Sequence, residues 1–403
     1  MKIIDLTEFF SERGGGVRTH LELKGRVLRN RGHRHLVIAP GPQRGPPVEG
    51  LMRIGGPRFP YDSSYHLFLR IDRVLKAIES EQPDILEVHS PYLAMASALL
   101  ASRKCFAVRT FCWHADFVDT YLRPVLEKHL SSAVASGVLR PAWALVRELT
   151  SRCDGTIVAS AQQLAKLRHR NVPHLHRIPF GVDKTTFRPE AADARVRKKF
   201  LGEASNSTLL VVAAGRFSYE KRFDVVIDAF RRLRGKRRAV LLLLGDGPER
   251  VRLESRASRL DVHFLGFEKD RSRLASIFAS SDVFLHGCPY ETCGLTIAEA
   301  RSCGVPVVVP DQGAASEEID LACAEIYRSG CPEACAAATE RLLSRDGRAL
   351  RARARTGAAA VFSVEQHFDA LLDVYQRLLD DKWHQIRSDA GGGRTNACTY
   401  LGP

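Results

Sequence analysis

Apolar positions along this chain fall in short runs separated by stretches of helical period. In the first half, Lys2–Leu6, His35–Ala39, Ile85–His89, Phe106–Thr110 and Thr156–Ser160 read as buried strands. Thr19–Arg31, Tyr65–Ser80, Tyr92–Ser102 and Gln162–His169 read as the helices between them. Pro141–Ser151 is a further helix: its Pro suits a first turn, and Ala142, Leu145, Val146 and Leu149 fall on one stripe. A second series follows. Its strands are Leu209–Ala214, Ala239–Gly245, Val262–Leu265, Val283–His286 and Val305–Val309. Its helices are Phe223–Leu233, Glu249–Arg259, Arg271–Ser280 and Thr296–Ser302. Such alternation predicts an α/β protein with parallel, doubly wound sheets.

The stretch from Pro179 to Pro189 has turn residues and no period, so it reads as a linker. It divides the chain into two Rossmann-like domains, 1–182 and 183–363, and a cleft between them is the natural ligand site. An amphipathic helix of about 364–381 follows, and 385–403 reads as a disordered tail.

Composition narrows the class. A chain of 403 residues is too long for one ordinary core, and 45% hydrophobic with 26% charged residues describes a globular protein. No apolar run reaches bilayer length, and the N-terminus enters a strand without a signal-peptide core, so a cytoplasmic location is expected. The ten cysteines lack CxxC spacing and read as reduced, small buried residues rather than zinc ligands. The net charge of +14 calls for an anionic partner: nucleic acid, an acidic membrane face or a phosphorylated substrate. The cations are dispersed and no RRM, KH or zinc-finger signature appears, which disfavours nucleic acid. The densest run, Arg231 to Arg238, suits a solvated helix C-terminus.

Candidate chemistry sits on loops after strands. Glu291 and Glu299 lie eight positions apart around Cys293-Gly294-Leu295-Thr296, between a strand and a helix. Backbone N–H groups at such a helix start suit a phosphate, and Glu299 suits a ribose diol. Together they describe a nucleotide. Arg216 and Lys221, after the first strand of the second domain, place two cations at a helix N-terminus, where the dipole favours anions. A diphosphate resolves that conflict. Gly14-Gly15-Gly16 opens the first helix and lets backbone approach a phosphate. It is not GxGxxG, which lowers a dehydrogenase reading. His114, past the strand Phe106–Thr110, can reach a sugar hydroxyl or a phosphate.

These motifs, with Gly245-Asp246-Gly247-Pro248-Glu249 and Leu265-Gly266-Phe267, resemble the retaining glycosyltransferases of family 4, which have the GT-B fold. The resemblance covers about residues 1–380. It implies a C-terminal domain for a nucleotide-sugar donor, an N-terminal domain for the acceptor, and a last helix that crosses back to the N-terminal domain. By position, Arg216 and Lys221 bind the diphosphate and Glu299 the ribose. Glu291 contacts the transferred sugar, helped by the amides of Cys293, Gly294 and Leu295. Thr296 contacts phosphate, Phe267 and Glu268 lie beside the base, Gly15 and Gly16 face the distal phosphate, and His114 is the cleft histidine. The family usually has Phe where Cys293 stands, and other residue types are common at Arg18. The implied reaction moves a hexosyl group, mannose from GDP-mannose first and a UDP-hexose next, to a lipid-linked or glycan acceptor. No DxD motif appears, so no metal or other cofactor is expected. The basic helix Thr19–Arg31 suggests docking at the inner, acidic face of the cytoplasmic membrane. The rival classes are a nucleotide-sugar epimerase of the same fold and a basic nucleic-acid- or membrane-binding protein without activity.

Overall fold

The computed structural model describes residues 1–10, 15–42, 48–59, 64–202 and 207–391. Among them, two all-parallel sheets form. The N-terminal sheet holds β1 (Lys2–Leu6), β2 (Arg34–Gly41), β3 (Leu51–Gly55), β4 (Ile85–Val88), β5 (Val108–Trp113), β6 (Gly155–Val158) and β7 (Leu175–Arg177). Its order is β3-β2-β1-β4-β5-β6-β7. The C-terminal sheet holds β8 (Leu209–Ala214), β9 (Ala239–Leu244), β10 (Val262–Gly266), β11 (Val283–Leu285), β12 (Val307–Pro310) and β13 (Ala324–Tyr327), in the order β10-β9-β8-β11-β12-β13. In register, Ile4 of β1 lies opposite Leu36 of β2 and Leu86 of β4. Each order reverses beside its first strand, where the carboxyl ends open a crevice.

Helices cover both faces, which is why β9 reads Ala-Val-Leu-Leu-Leu-Leu and is buried throughout. The last helix, Val364–Gly391, lies on the N-terminal sheet: Phe368, Leu371, Val374, Tyr375 and Leu379 pack with Ile3, Leu28, Ile85, Val108 and Ile157. Each such side chain contributes about 1.5–3 kcal/mol on burial, so the stripe fastens the chain end to the opposite domain. The two crossings lie side by side, with Val182 N–H donating to Phe362 O at 2.8 Å and Val364 N–H to Val182 O at 3.1 Å.

Several boundaries differ from the pattern reading. The last helix runs to Gly391, so 385–391 is helical rather than tail, because Gly and Pro are missing until Gly391; residues 392–403 lie outside the described residues. The helix expected from Tyr65 begins at Ile71. The stretch before it pairs with 57–59 instead: Phe59 N–H donates to Tyr65 O, and Leu67 N–H to Pro57 O. The edge strands β3, β7 and β13 escaped the pattern because they are short and mix polar with apolar positions.

The cations of the first helix, Gly16–Asn30, and its C-cap Arg31 are largely engaged internally. Lys24 is fully buried between Asp5 and Glu87. Arg18 pairs with Glu22, Arg26 with Asp183 and Arg31 with Asp369. Among the described residues every cysteine is free, and no helix is long and apolar enough to cross a membrane.

Candidate active site

The expected residues all stand at the carboxyl ends of strands. Gly15 and Gly16 begin the helix after β1, and His114 follows β5. Arg216 and Lys221 follow β8, Phe267 and Glu268 follow β10, and Glu291 to Glu299 follow β11. Gly14 lies outside the described residues.

At the centre of the C-terminal half, the Lys221 ammonium donates to Glu291 Oε1. His286 Nε2 lies 3.1 Å from the same oxygen. Burial raises the Glu291 carboxyl, but the Lys221 charge and the His286 hydrogen bond outweigh it and hold the group well below the carboxylate range. Burial lowers the Lys221 ammonium, and Glu291 more than reverses that. Both groups are therefore charged at neutral pH. Gly287 makes this pairing possible: a Cβ there would lie 2.4 Å from Arg222 O, so only glycine lets the Lys221 turn rest on the β11 loop. Cys288 lies beside the pair, its thiol pushed up to about 12 by burial.

The β11 loop then turns through Gly294, whose φ of 72° is the left-handed conformation glycine adopts readily. It caps the helix Leu295–Ser302, which has no side-chain cap. The opening amides, at Leu295 and Thr296, are a ready anion site. One turn on, Glu299 is buried and paired with Arg271, whose guanidinium also lies 4.6 Å from the Phe187 ring centre. Burial raises the Glu299 carboxyl, and Arg271 opposes this. Phe267 is 46% exposed. Glu268 pairs with Arg273 at 3.3 Å and accepts the Asp270 N–H at 3.0 Å.

The N-terminal half supplies the facing wall. The His114 ring packs on Phe180, with centroids 5.3 Å apart, and its Nε2 lies 2.7 Å from His89 Nδ1. Burial and the His89 and Lys24 charges push its pKa well down, so the ring is neutral. Thr292 Oγ1 donates to His114 O at 2.6 Å across the interface. The Arg216 guanidinium stands 5.5 Å from the Tyr65 ring centre. The Tyr65 hydroxyl lies 3.8 Å from where a Gly15 Cβ would be.

The structure thus joins Lys221 with Glu291, His114 with the 291–294 loop, and Gly15 with Arg216 through Tyr65. Arg216 and Lys221, expected to converge, turn to different partners in this state. Glu299 pairs with Arg271 and Glu268 with Arg273, both cations on the helix Arg271–Ala279 that follows β10. Sequence reasoning missed Thr292, Tyr65, Arg271, His286 and His89. His89 and His286 carried one signal: each is a polar residue closing an apolar strand.

Among the described residues three clusters have metal-ligand residue types: His286 with Cys288 and Glu291, His89 with Cys112 and His114, and Asp5 with Glu87 and His89. In the first, Lys221 sits on the carboxylate. In the second, the 2.7 Å between the His89 and His114 nitrogens is a hydrogen-bond length.

Two parallel α/β domains that meet at the carboxyl ends of their strands, with paired cations and carboxylates there, define the GT-B architecture. The family model described as Glycosyltransferase Family 4 matches residues 14–186, and that described as Glycosyl transferases group 1 matches residues 208–345. The chain is 31% identical over 366 residues to the GDP-mannose-dependent alpha-(1-6)-phosphatidylinositol dimannoside mannosyltransferase of Mycobacterium tuberculosis, covering 89% of this chain and 92% of that protein. It is 30% identical over 323 residues to a GDP-mannose-dependent alpha-mannosyltransferase of Mycolicibacterium smegmatis, covering 78% and 80% respectively. In fold it is similar to sucrose-phosphate synthase from Thermosynechococcus elongatus, with a TM-score of 0.74 at 20% identity over 94% of this chain and 100% of that one. The chain belongs to glycosyltransferase family 4.

Proposed function

We propose that this enzyme moves a mannosyl group from GDP-mannose to a hydroxyl of a lipid-linked or glycan acceptor, with retention of configuration and without a metal. The observation that carries the reading is the charged Lys221–Glu291 pair beside the uncapped helix start at Gly294. Breaking a glycosyl–phosphate bond leaves its electron pair on the diphosphate and positive charge on the sugar. Lys221, Arg216 and the amides at Leu295 and Thr296 stabilise the first, and Glu291 the second. These are fixed charges that need little reorganisation. The acceptor oxygen bonds the sugar on the face the phosphate leaves, and its proton passes to a donor phosphate oxygen. Glu299 holds the ribose once the diol displaces Arg271, and Phe267 and Glu268 flank the base. Gly15 and Gly16 face the distal phosphate, and His114 and the Cys293 and Gly294 amides line the sugar pocket.

The GDP-mannose assignment is supported by the relatives named for that donor; a UDP-hexose is the next choice. For a lipid acceptor, the meeting place is an acidic membrane face. Leu122, Val125, Val134 and Val138 form exposed apolar positions on the N-terminal half that suit it. Calorimetric titration with GDP, UDP and ADP tests the donor site. GDP binding that weakens in Arg216→Ala and Glu299→Ala supports it. A folded protein that binds none of the three rules it out.

A further inference from the structure

We propose that the groove between the first helix, Gly16–Asn30, and the edge strand β3 is an anion site, where Arg18 and Arg53 hold a phosphate group carried by the acceptor. The inference rests on the proposed role of the N-terminal half as the acceptor side.

Sequence period builds the groove. Arg18, Leu21, Glu22, Gly25 and Arg29 recur at helical spacing, so they share one face of the first helix. His35 and Val37 on β2, and Leu51 and Arg53 on β3, recur at spacing two and share the sheet face beneath it. Val37 lies opposite Leu51, and Ala39 opposite Arg53. Phe10, Leu21 and Val37 pack with Leu51 as an apolar floor. The cavity left between helix and strand is about 220 Å³. That suits a phosphate with a few attached atoms, since larger ligands occupy sites of roughly 300–1,000 Å³. Glycines shape the space. A Cβ at Gly25 would lie 2.9 Å from His35 Nδ1, one at Gly50 3.2 Å from Arg29 Nη1, and one at Gly41 2.4 Å from Arg53 Nη1. Gly25 stands mid-helix, where glycine is otherwise unfavourable.

Charge gathers at the rim. Among the described residues the groove is lined by three arginines, Arg18, Arg29 and Arg53, against two carboxylates, Glu22 and Glu49. His35 is turned to Asp5, whose Oδ2 lies 2.5 Å from its Nε2. The Arg18 and Arg53 guanidinium carbons lie 5.2 and 5.9 Å from the Phe10 ring centre. Two like charges are thus drawn to one ring, with Glu22 Oε1 2.7 Å from Arg18 Nε. A phosphate removes the conflict, because the guanidinium fork matches its oxygens two at a time. A guanidinium has five N–H donors, so Arg18 can keep Glu22 and bind the phosphate as well. Arg18 stands two residues past Gly16, about 3 Å along the helix axis, so the Phe10 end of the groove adjoins the cleft wall. Among the described residues, none proposed for the donor lines the groove. A phosphate bound there is therefore separate from the donor diphosphate.

Glycerol 3-phosphate titrated into the whole chain, with excess GDP filling the donor site, reads the groove. Arg18→Gln and Arg53→Gln should each weaken its binding roughly tenfold or more, as loss of hydrogen bonds to a charged group does. Both should leave GDP affinity within about twofold, because effects at separate sites are independent. Glu22→Gln removes the carboxylate that competes for Arg18 and should tighten binding roughly two- to fivefold, a gain that misfolding cannot mimic. Vesicles of phosphatidylinositol in phosphatidylcholine, against phosphatidylcholine alone, separate the two sources of the phosphate. Arginine-dependent binding to the first vesicles supports the site and assigns it a lipid headgroup. Arginine-dependent binding of glycerol 3-phosphate without it supports the site and assigns it a water-soluble phosphorylated acceptor. Parental binding of both probes by folded Arg18→Gln and Arg53→Gln overturns the proposal, as does a parent protein that binds neither probe. A parent protein that binds no GDP overturns the donor reading instead, and the arginine variants still decide the groove.

Discussion

The Thr292 hydroxyl donates to the main-chain oxygen of His114, 2.6 Å away on the opposite domain. Thr292 stands between Glu291 and Cys293, so this bond ties the proposed sugar pocket of one half to the cleft histidine of the other. A second tie lies behind it, where the Glu317 carboxylate accepts from the Ala161 and Gln162 amides at a helix start. These bonds hold the residues of the two halves together at the site.

Thr292→Val removes the first tie with little change in volume. One such bond contributes about 1 kcal/mol. Steady-state kinetics with GDP-mannose should show kcat/KM lower by about fivefold, with recovery in Thr292→Ser. An unchanged kcat/KM would show that the site does not depend on this bond.

Lys221 and Glu291 behave as a unit. Lys221→Ala leaves a buried carboxylate without its main positive neighbour, which costs about 3 kcal/mol. Glu291→Gln combined with Lys221→Ala should unfold in urea at a higher concentration than Lys221→Ala alone. A double variant less stable than both singles would contradict the pairing. Both singles should lose roughly 100-fold or more in kcat.

Arg271 occupies Glu299 before nucleotide arrives. Glu299→Ala should weaken GDP about 10-fold or more, because hydrogen bonds to a charged group contribute about 1.5–3 kcal/mol. Arg271→Ala frees the carboxylate for the ribose and should weaken GDP far less. Calorimetry that finds the two variants equally impaired would place Arg271, rather than Glu299, on the ligand.

Acid sensitivity should begin at histidine rather than at carboxylate. Burial lowers the His367 pKa to about 4, although its bond to Pro179 O opposes this. His20 and His114 are pushed well down by burial and by neighbouring histidine charges. Unfolded histidine titrates near 6.5. Between about pH 6.5 and 4 the unfolded chain binds more protons, so stability is full above that window and falls as pH drops through it. His367 alone gives a slope of up to about 1.4 kcal/mol per pH unit. Melting temperatures at pH 7.5 and 5.5 should differ, and His367→Asn should narrow the gap.

Much of the fold was legible because parallel strands buried on both faces are plain apolar runs. Leu209–Ala214 was readable to the residue, as was Lys2–Leu6. The edge strands β3, β7 and β13 were not, since each is short and mixes polar with apolar positions. The site was legible in kind: Arg216, Lys221, Glu291 and His114 stand out because they follow strand ends. Their partners were not. Lys221 and Glu291 are 70 positions apart, and only the β8–β11 adjacency brings them together. Tyr65 looked helical by period, yet its segment pairs with 57–59 and presents the ring to Arg216. The helix Thr19–Arg31 was read only as basic, but the carboxylates of Asp5 and Glu87 draw one of its cations, Lys24, into the core.

Donor turnover tests the central claim most directly: GDP released from GDP-mannose in EDTA, with UDP-hexoses in parallel. The expected result is release from GDP-mannose at the same rate with or without EDTA, and its loss in Arg216→Ala. Release from a UDP-hexose alone, or activity abolished by EDTA and restored by a divalent cation, would contradict it.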